Sequence, residues 1–309
     1  MNDPNIEFYR KYPYPAQPTG YASPNDPDFW LPFYSEAAHG GRLQFPAKPK
    51  IWVAGCGTHQ ALDVALQFPN ATVVGSDISD VSLAMCKRDA EDIGVSNLEL
   101  KQESVIEDQY ADQFDLVFCT GVLHHLGDPK RGFYAIDRAL KRNGIAEIMV
   151  YNEFHIEQQL AFSEAMRFLS GGGDRVAMAE EVLGRKLGVE EAGTLVHPSK
   201  IGYTVLGLYN ITSMTLLHPA RSGWCVGPAS SSVRRMFDDM LDYERWHCIQ
   251  LMMHAHSPLL WFYFQRDDAE LKRATEAELN ERFRSDWESR KFEPANTTIR
   301  TWKRNGEVG

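Results

Sequence analysis

The sequence lacks several features that would assign a protein to the membrane or to the cell exterior. No hydrophobic run approaches the roughly 20 residues that a membrane-spanning helix needs. The N-terminal stretch, MNDPNIEFYRKYPYP, lacks the apolar core of a signal peptide. Only 5 cysteines occur, none in a C-x-x-C pair, and an odd number argues against a framework of disulfides. We therefore expect a protein of the reducing cytoplasm.

The sequence also has fewer basic residues than acidic ones. The chain has 32 Lys and Arg against 42 Asp and Glu, which gives a net charge of −10 at pH 7. Its basic residues are interleaved with acidic ones, whereas proteins that hold long nucleic acids usually present a basic face to the phosphates. This balance disfavours a nucleic-acid partner and favours a small-molecule ligand. A hydrophobic content of 43% over 309 residues is sufficient for one large α/β domain with additions.

One βαβ unit organises the sequence. A short apolar run, Ile51–Ala54, has the composition of a buried strand and is stopped by the glycine turn Gly55–Gly57. Apolar residues at helical spacing over Gln60–Leu66 predict a helix, and a second apolar run, Ala71–Val74, predicts a strand that leads to Asp77. Strand, turn, helix and strand together form a unit of about 30 residues.

This unit predicts a ligand that contains a nucleoside. Glycines let a ligand approach the backbone, and the first turn of a helix has unpaired N–H groups. A carboxylate about 20 residues further on, here Asp77, can accept hydrogen bonds from both ribose hydroxyls. Thr58-His59-Gln60 follows the turn in place of the third glycine of a G-x-G-x-x-G pyrophosphate site, so we expect a nucleoside without phosphates. The alternative is a glycine-rich turn with a purely structural role.

Further strands follow at the spacing of a doubly wound α/β fold. The patterns predict strands over Leu98–Lys101, Phe114–Cys119 and Ile145–Val150. Asp128-Pro129 is a typical helix start, and we expect that helix to extend to Asn143–Gly144. Strands that alternate with helices predict a parallel sheet whose ligands bind above the carboxyl ends of the strands.

Two motifs resemble those of a known enzyme family. Val53–Thr58, with Gly75–Ser79, resembles the glycine motif and acidic strand end of class I S-adenosylmethionine-dependent methyltransferases, in the AGCGTxQA form of bacterial members. Phe114–Leu126 resembles the family's fourth strand and the loop that follows it. The likeness covers about residues 48–152. It implies a Rossmann-like sheet of seven strands, S-adenosylmethionine as the cofactor and S-adenosylhomocysteine as the product.

The resemblance also implies roles for residues at the strand ends. Asp77 would bind the ribose hydroxyls, Ile78 would pack beside the adenine, and the region of Thr120 would hold the amino group of the donor. Ser104 occupies the place of an acidic residue that reaches the adenine amine, and Glu103 can substitute for it. The cofactor-binding residues expected on this basis are Gly55, Cys56, Gly57, Gln60, Asp77, Ile78, Ser104, Val105 and Thr120.

Three residues are candidates for catalysis. His124 and His125 follow the fourth strand, and Tyr151 ends the fifth. A histidine with a pKa near neutrality is a natural general base, but a His-His pair also occurs in this superfamily as a helix-start element, so a structural role is the alternative. After Tyr151 the Y-G-R-x-G-x-Y-like segment of similar methyltransferases is replaced by YNEFHIEQQ, which marks a distinct acceptor.

The N-terminal segment, residues 1–46, is rich in aromatic residues and proline. We expect it to dock on the globular body, either as a cap across the ligand cleft or as a packing strap on the far side of the sheet. As a cap it would contribute to binding of the methyl acceptor. The residues expected to bind this substrate are Tyr9, Tyr12, Tyr14, Trp30, Glu153 and His155.

The rest of the chain divides into three parts. We expect a cofactor-binding core over residues 47–155, a helical acceptor-pocket insertion with late strands over 156–266, and a charged C-terminal helix and tail over 267–309. The charged helix, Asp267–Arg290, would pack on its own domain or on a second copy in a homodimer. His247, Cys248, His254 and His256 lack the short ligand spacing of a zinc site, so we expect no metal.

Several elements are predicted within the insertion. The patterns indicate helices over Ile156–Leu169 and Asp174–Leu187, and a long helix over Ser230–Met253. Leu259–Phe264 has the composition of a late sheet strand, with Thr212–Leu217 as its expected partner.

Taken together, these features predict a cytoplasmic methyltransferase that acts on a small molecule at an oxygen, nitrogen or sulfur atom. Two alternatives remain open: a tRNA or protein methyltransferase, and a protein that binds an S-adenosylmethionine derivative without turnover. A nicotinamide-dependent oxidoreductase is disfavoured because the pyrophosphate-binding glycine pattern is absent.

Overall fold

The computed structural model describes residues 4–24, 45–107, 109–151, 153–197, 246–252, 259–266 and 299–303. It contains a sheet of seven strands and a separate antiparallel pair made by the first and the last strand of the described chain. In chain order the strands are β1 (Gly20–Pro24), β2 (Lys50–Ala54), β3 (Thr72–Asp77), β4 (Leu98–Gln102), β5 (Phe114–Thr120), β6 (Leu140–Tyr151), β7 (Trp246–Met252), β8 (Leu259–Arg266) and β9 (Ile299–Lys303).

Helices connect most of these strands. They are α1 (Pro4–Lys11), α2 (Gln60–Gln67), α3 (Asp80–Ile93), α4 (Pro129–Ala139), α5 (Glu153–Leu169), α6 (Arg175–Leu183) and α7 (Val189–Val196), with short 3₁₀ helices at Val105–Glu107 and Leu123–His125. Their ends follow the capping rules. Ser79 and Asp128 accept the backbone N–H three residues further on, and Gly94 ends α3 in the left-handed conformation. No helix among the described residues is both long enough and apolar enough to cross a membrane.

The order of the main sheet is β4-β3-β2-β5-β6-β8-β7. The first five strands are parallel, and β8 and β7 add an antiparallel edge. The chain leaves β2 towards β3 on one side and later returns to β5 on the other, so the connections diverge between β2 and β5. A crevice opens at such a point above the carboxyl ends of the strands. The predicted doubly wound α/β fold is confirmed.

Both faces of the parallel sheet are buried. Trp52, Phe114 and Phe133 belong to the apolar cluster on one face, and Leu62 and Phe68 belong to the cluster on the other. Each of these side chains is less than 3% exposed, and burial of such a side chain contributes about 1.5–3 kcal/mol. The two clusters therefore hold the strand ends, and the loops that follow them, in fixed positions.

The structure corrects three predicted elements. The helix that begins at Pro129 ends at Ala139 instead of Asn143–Gly144, because Leu140 already pairs with Phe114 and the next residues bulge from the strand. The helix predicted to reach Leu187 ends at Leu183, where Gly184 adopts a left-handed conformation.

The third correction concerns the late strands. Trp246–Met252 was predicted within the long helix Ser230–Met253, and this is wrong: it forms β7, which pairs antiparallel with β8. β8 is the predicted late strand, and β7 takes the place beside it that Thr212–Leu217 was expected to fill. Thr212–Leu217 and Asp267–Arg290 lie outside the described residues.

Candidate functional site

A cavity of about 270 Å³ opens at the carboxyl ends of the parallel strands. Its wall is formed by the loops after β2, β3, β4 and β5, and its outer side is covered by residues from the N-terminal segment. The sequence-predicted residues that line it are Tyr9, Tyr14, Gly55, Cys56, Gly57, Gln60, Asp77, Ile78, Ser104, Val105, Thr120 and His125. The structure thus brings all nine predicted cofactor residues to one cavity.

The turn after β2 can only be made by glycine at two positions. Gly55 and Gly57 have φ values of +70° and +56°, in the left-handed region that other residues avoid. A Cβ atom on Gly55 would collide with the side chain of Val122 from the loop after β5. The N–H groups of Gly55 and Cys56 both donate to the Ser76 carbonyl, at 2.8 and 2.9 Å. These bonds fix the turn against β3, so its backbone faces the cavity.

Asp77 lies at the end of β3 and faces this turn. Its Oδ2 accepts the Gly57 N–H and its Oδ1 accepts the Ser79 N–H, each at 2.8 Å. Burial raises the pKa of the Asp77 carboxyl above its ordinary value, while these backbone N–H groups act in the opposite direction. Each carboxylate oxygen has a second lone pair, so the group can accept further hydrogen bonds from a ligand in the cavity.

Polar side chains also converge from the loops after β4 and β5. Gln60 Nε2 donates to Thr120 Oγ1 at 2.8 Å and so links the start of α2 to the end of β5. Glu103 and Ser104 both line the cavity. Glu103 is held in place by the Tyr110 hydroxyl, which donates to its Oε2 at 2.6 Å. Ser104 and Glu103 are the two candidates for the residue that reaches the adenine amine. Of these, Glu103 presents an oriented carboxylate at the cavity wall.

The N-terminal segment is fastened to the loops that form the cavity. The Thr58 N–H donates to the Tyr14 carbonyl at 3.3 Å, and the Thr58 hydroxyl donates to the Pro15 carbonyl at 2.6 Å. On the other side of the opening, the Ser79 hydroxyl donates to the Tyr9 carbonyl at 3.3 Å. Residues 9–15 thus bridge the glycine turn and the start of α3, directly over the cavity.

This fastening depends on the absence of a side chain at Gly57. A Cβ atom there would lie 2.5 Å from the Tyr14 carbonyl oxygen, whereas a Cβ on Gly94 would meet nothing within 4 Å. Both glycines have positive φ, so Gly57→Ala and Gly94→Ala share the backbone strain, and only the first displaces the N-terminal segment. Because overpacking costs about 1–3 kcal/mol, we expect trypsin to cleave Gly57→Ala after Arg10 at least about fivefold faster than the wild type. Equal cleavage rates in the two variants would contradict this.

A cluster of aromatic rings lies at the opposite side of the cavity. His125 lines the cavity and stacks on His197 with ring centroids 4.4 Å apart, and the His124 ring lies 4.2 Å from that of His125. The Tyr9 hydroxyl lies 2.9 Å from His197 Nε2. Burial lowers the pKa of His124 to about 3 and that of His197 to about 4, and it holds the pKa of His125 well below its ordinary value. The three imidazoles are therefore neutral at pH 7.

Two predicted site residues lie elsewhere. His124 is only 1% exposed and does not line the cavity, so its position is that of a core residue beneath His125. Tyr12 packs beside Phe8 and Gly193 instead of lining the cavity. Trp30 lies outside the described residues, and only the backbone is described for Tyr151, at the end of β6, and for Glu153 and His155, in the first turn of α5.

Sequence reasoning missed several cavity residues. Asn5 and Met149 line the cavity, as do His59, which directly precedes α2, and Asp63 from its first turn. His59 and Asp63 follow the glycine turn at an i, i+4 spacing, a signal that could have found them. Within the described ranges, no group of three or more His, Cys, Asp or Glu side chains is placed to hold a metal ion. His254 and His256 lie outside those ranges.

Comparison with known proteins shows which family this chain is similar to. A family model described as a methyltransferase domain matches residues 54–179. An uncharacterised protein of Synechococcus is 28% identical over 282 residues, covering 79% of this chain and 67% of that protein. A ubiquinone biosynthesis O-methyltransferase of Pseudomonas syringae is 32% identical over 100 residues, covering 32% of this chain and 42% of the enzyme.

Among solved structures, PKMT2 from Rickettsia typhi is similar in fold. The likeness has a TM-score of 0.52 at 15% identity and covers 86% of this chain and 57% of that one. A second structure of that protein, with a TM-score of 0.51, is a complex with AdoHcy. The chain thus spans about half the length of PKMT2 and of the Pseudomonas enzyme.

Proposed function

This chain carries a class I S-adenosylmethionine-dependent methyltransferase domain over residues 54–179, and on that premise we propose that it transfers the methyl group of S-adenosylmethionine to a small-molecule acceptor. The domain confirms the family and the cofactor that the sequence motifs predicted. The observation that carries the proposal is the position of Asp77, a partly buried carboxylate aligned by two backbone N–H groups at the wall of the cavity.

In the proposed complex the nucleoside lies over the ends of β2 and β3. Asp77 binds the two ribose hydroxyls, Ile78 packs on the adenine, and Glu103 accepts a hydrogen bond from the adenine amine. The methionine part of the cofactor passes along the glycine turn towards Thr120, whose hydroxyl is oriented by Gln60. This arrangement is supported by the convergence of these side chains on one cavity.

The proposed reaction is an in-line displacement. A lone pair of the acceptor attacks the methyl carbon, the bond from that carbon to the sulfonium sulfur breaks, and a neutral thioether leaves. The protein aligns the three atoms and excludes water. His125 is the proposed recipient of the acceptor proton on the basis of its position, because its imidazole lines the cavity and is held by the stacked ring of His197, although burial lowers its pKa and so weakens it as a base. Tyr9 lies at the same side of the cavity and is a proposed contact of the acceptor.

A small acceptor is supported by the shape and charge of the site. Tyr9, Tyr14 and Pro15 cover the cavity from the outside. Among the described residues that line it there are carboxylates but no Lys or Arg, and the chain carries a net charge of −10. Both features disfavour an RNA phosphate backbone as the group brought to the site. The likeness to the ubiquinone biosynthesis O-methyltransferase covers only 32% of this chain, so it does not narrow the methylated atom to oxygen. We propose oxygen, nitrogen or sulfur as the methylated atom.

Calorimetry followed by label transfer tests the proposal. We expect the purified chain to bind S-adenosylmethionine and S-adenosylhomocysteine, and to transfer a radiolabelled methyl group from the former into the small-molecule fraction of a cell extract. The product should be heavier than its precursor by about 14 Da, the mass that replacement of hydrogen by methyl adds. Label in RNA or protein would favour the corresponding macromolecular methyltransferase. Tight binding without any label would favour a non-catalytic protein.

A further inference from the structure

Asp63 is a carboxylate that the proposed function leaves without a role. It lies in the first turns of α2, lines the cavity, and has a side chain that is 36% exposed. His59 Nε2 lies 3.7 Å from Asp63 Oδ2, too far for a hydrogen bond. The buried side chains of Tyr21 and Cys86 are other ionisable neighbours of Asp63. Burial lowers the pKa of His59, so a neutral ring faces this carboxylate at pH 7.

The other two carboxylates of the cavity are already hydrogen-bonded. Asp77 accepts two backbone N–H groups, and Glu103 accepts the hydroxyl of Tyr110. Asp63 has no such side-chain donor within the described part of the chain, and burial alone raises its pKa to about 7. With 36% of its side chain exposed, the Asp63 carboxylate is partly withdrawn from water, and no described lining residue is a Lys or Arg that would offset its charge. A ligand with a positive charge would complete the site.

We propose that Asp63 binds a primary ammonium group of a ligand held in this cavity and so selects for ligands that carry one. The inference rests on the proposed function, which brings such groups to the site. Two sources supply this chemistry: the amino group in the methionine part of the cofactor, and an amino group on the methyl acceptor. An ammonium group donates up to three hydrogen bonds to a carboxylate and matches its charge.

A structural role for Asp63 is the competing explanation. An acidic side chain in the first turns of a helix interacts favourably with the helix dipole, typically by about 0.3–1 kcal/mol. Such a role would act on the stability of α2 and would affect every ligand of the cavity alike. Selection for an ammonium group, by contrast, distinguishes ligands that differ only in that group.

Binding measurements with two nucleosides and one amine distinguish these explanations. S-adenosylhomocysteine and 5′-methylthioadenosine share the thionucleoside, but only the first has an amino group. If the cofactor supplies the ammonium, Asp63→Asn should weaken S-adenosylhomocysteine at least about tenfold in calorimetry and leave 5′-methylthioadenosine unchanged. If the acceptor supplies it, both nucleosides keep their affinity, and n-butylamine titrated into the S-adenosylhomocysteine complex binds the wild type but not Asp63→Asn.

The controls keep the result decisive. Asp92→Ala removes an exposed acid of α3 and should change none of these affinities. Asp63→Ser repeats the measurements should Asp63→Asn fold poorly. Equal effects on both nucleosides, or no effect on either nucleoside or on butylamine, would overturn the proposal. A wild-type chain that binds neither nucleoside would contradict the proposed function instead. In that case, comparison of butylamine binding between the ligand-free wild type and ligand-free Asp63→Asn would decide whether Asp63 binds an ammonium group.

Discussion

Replacing Asp77 with alanine should reduce the affinity for S-adenosylhomocysteine by at least about 100-fold. Hydrogen bonds to a charged group contribute about 1.5–3 kcal/mol each, and the loss of two ribose contacts amounts to at least about 3 kcal/mol. The substitution also removes the acceptor of the Gly57 N–H, at 2.8 Å, and so loosens the glycine turn against β3. Calorimetry at pH 7.5 measures the change directly.

The matched control for this experiment is Asp92→Ala. Asp92 is also an acid, but it is exposed on α3 and does not line the cavity, so its removal should leave the affinity unchanged. Asp77→Asn adds a second test, because it keeps the volume of the side chain while one of its atoms can no longer accept a backbone N–H. Undiminished binding by Asp77→Ala would remove the basis for the proposed cofactor site.

The cofactor side of the cavity could be predicted from sequence because its signals are local. The left-handed turn at Gly55 and Gly57 requires glycine, the strands on either side are short buried runs, and Asp77 follows the second strand directly. The parallel pairing of β2 with β3 and β5 then places the strand ends together without further information. These residues therefore reach the same cavity wherever the rest of the chain lies.

The opposite side of the cavity depends on contacts between distant segments. His197 follows α7 and shows no motif, yet it lies between Tyr9 and His125, which are separated from it by 188 and 72 residues. No local pattern encodes that packing. β7 is difficult to predict for a related reason. Over its seven residues the sequence pattern fits a strand as well as a helix, and the segment forms a strand because it pairs with the edge of β8.

Acid should destabilise the fold through the cluster of His124, His125 and His197. All three have folded-state pKa values below the ordinary 6.5, so the unfolded chain takes up protons first as the pH falls. Above pH 6.5 these histidines do not reduce the free energy of unfolding. As the pH falls from 6.5 towards their folded-state pKa values, the free energy of unfolding decreases progressively. For His197, with a pKa of about 4, the loss by pH 5 amounts to about 2 kcal/mol.

The variant that isolates this effect is His197→Phe, which keeps a ring beside His125 and removes the titrating group. Raised pKa values at Asp63 and Asp77 act in the opposite direction, because the folded state takes up those protons first and gains stability as the pH falls. The informative quantity is therefore the difference in urea-unfolding free energy between pH 7.5 and pH 5, compared between variants. His197→Phe should lose less stability than the wild type over this range, and Asp63→Asn should lose more. Parallel curves for all three proteins would mean that neither the imidazole cluster nor the cavity carboxylate is coupled to folding as the structure implies.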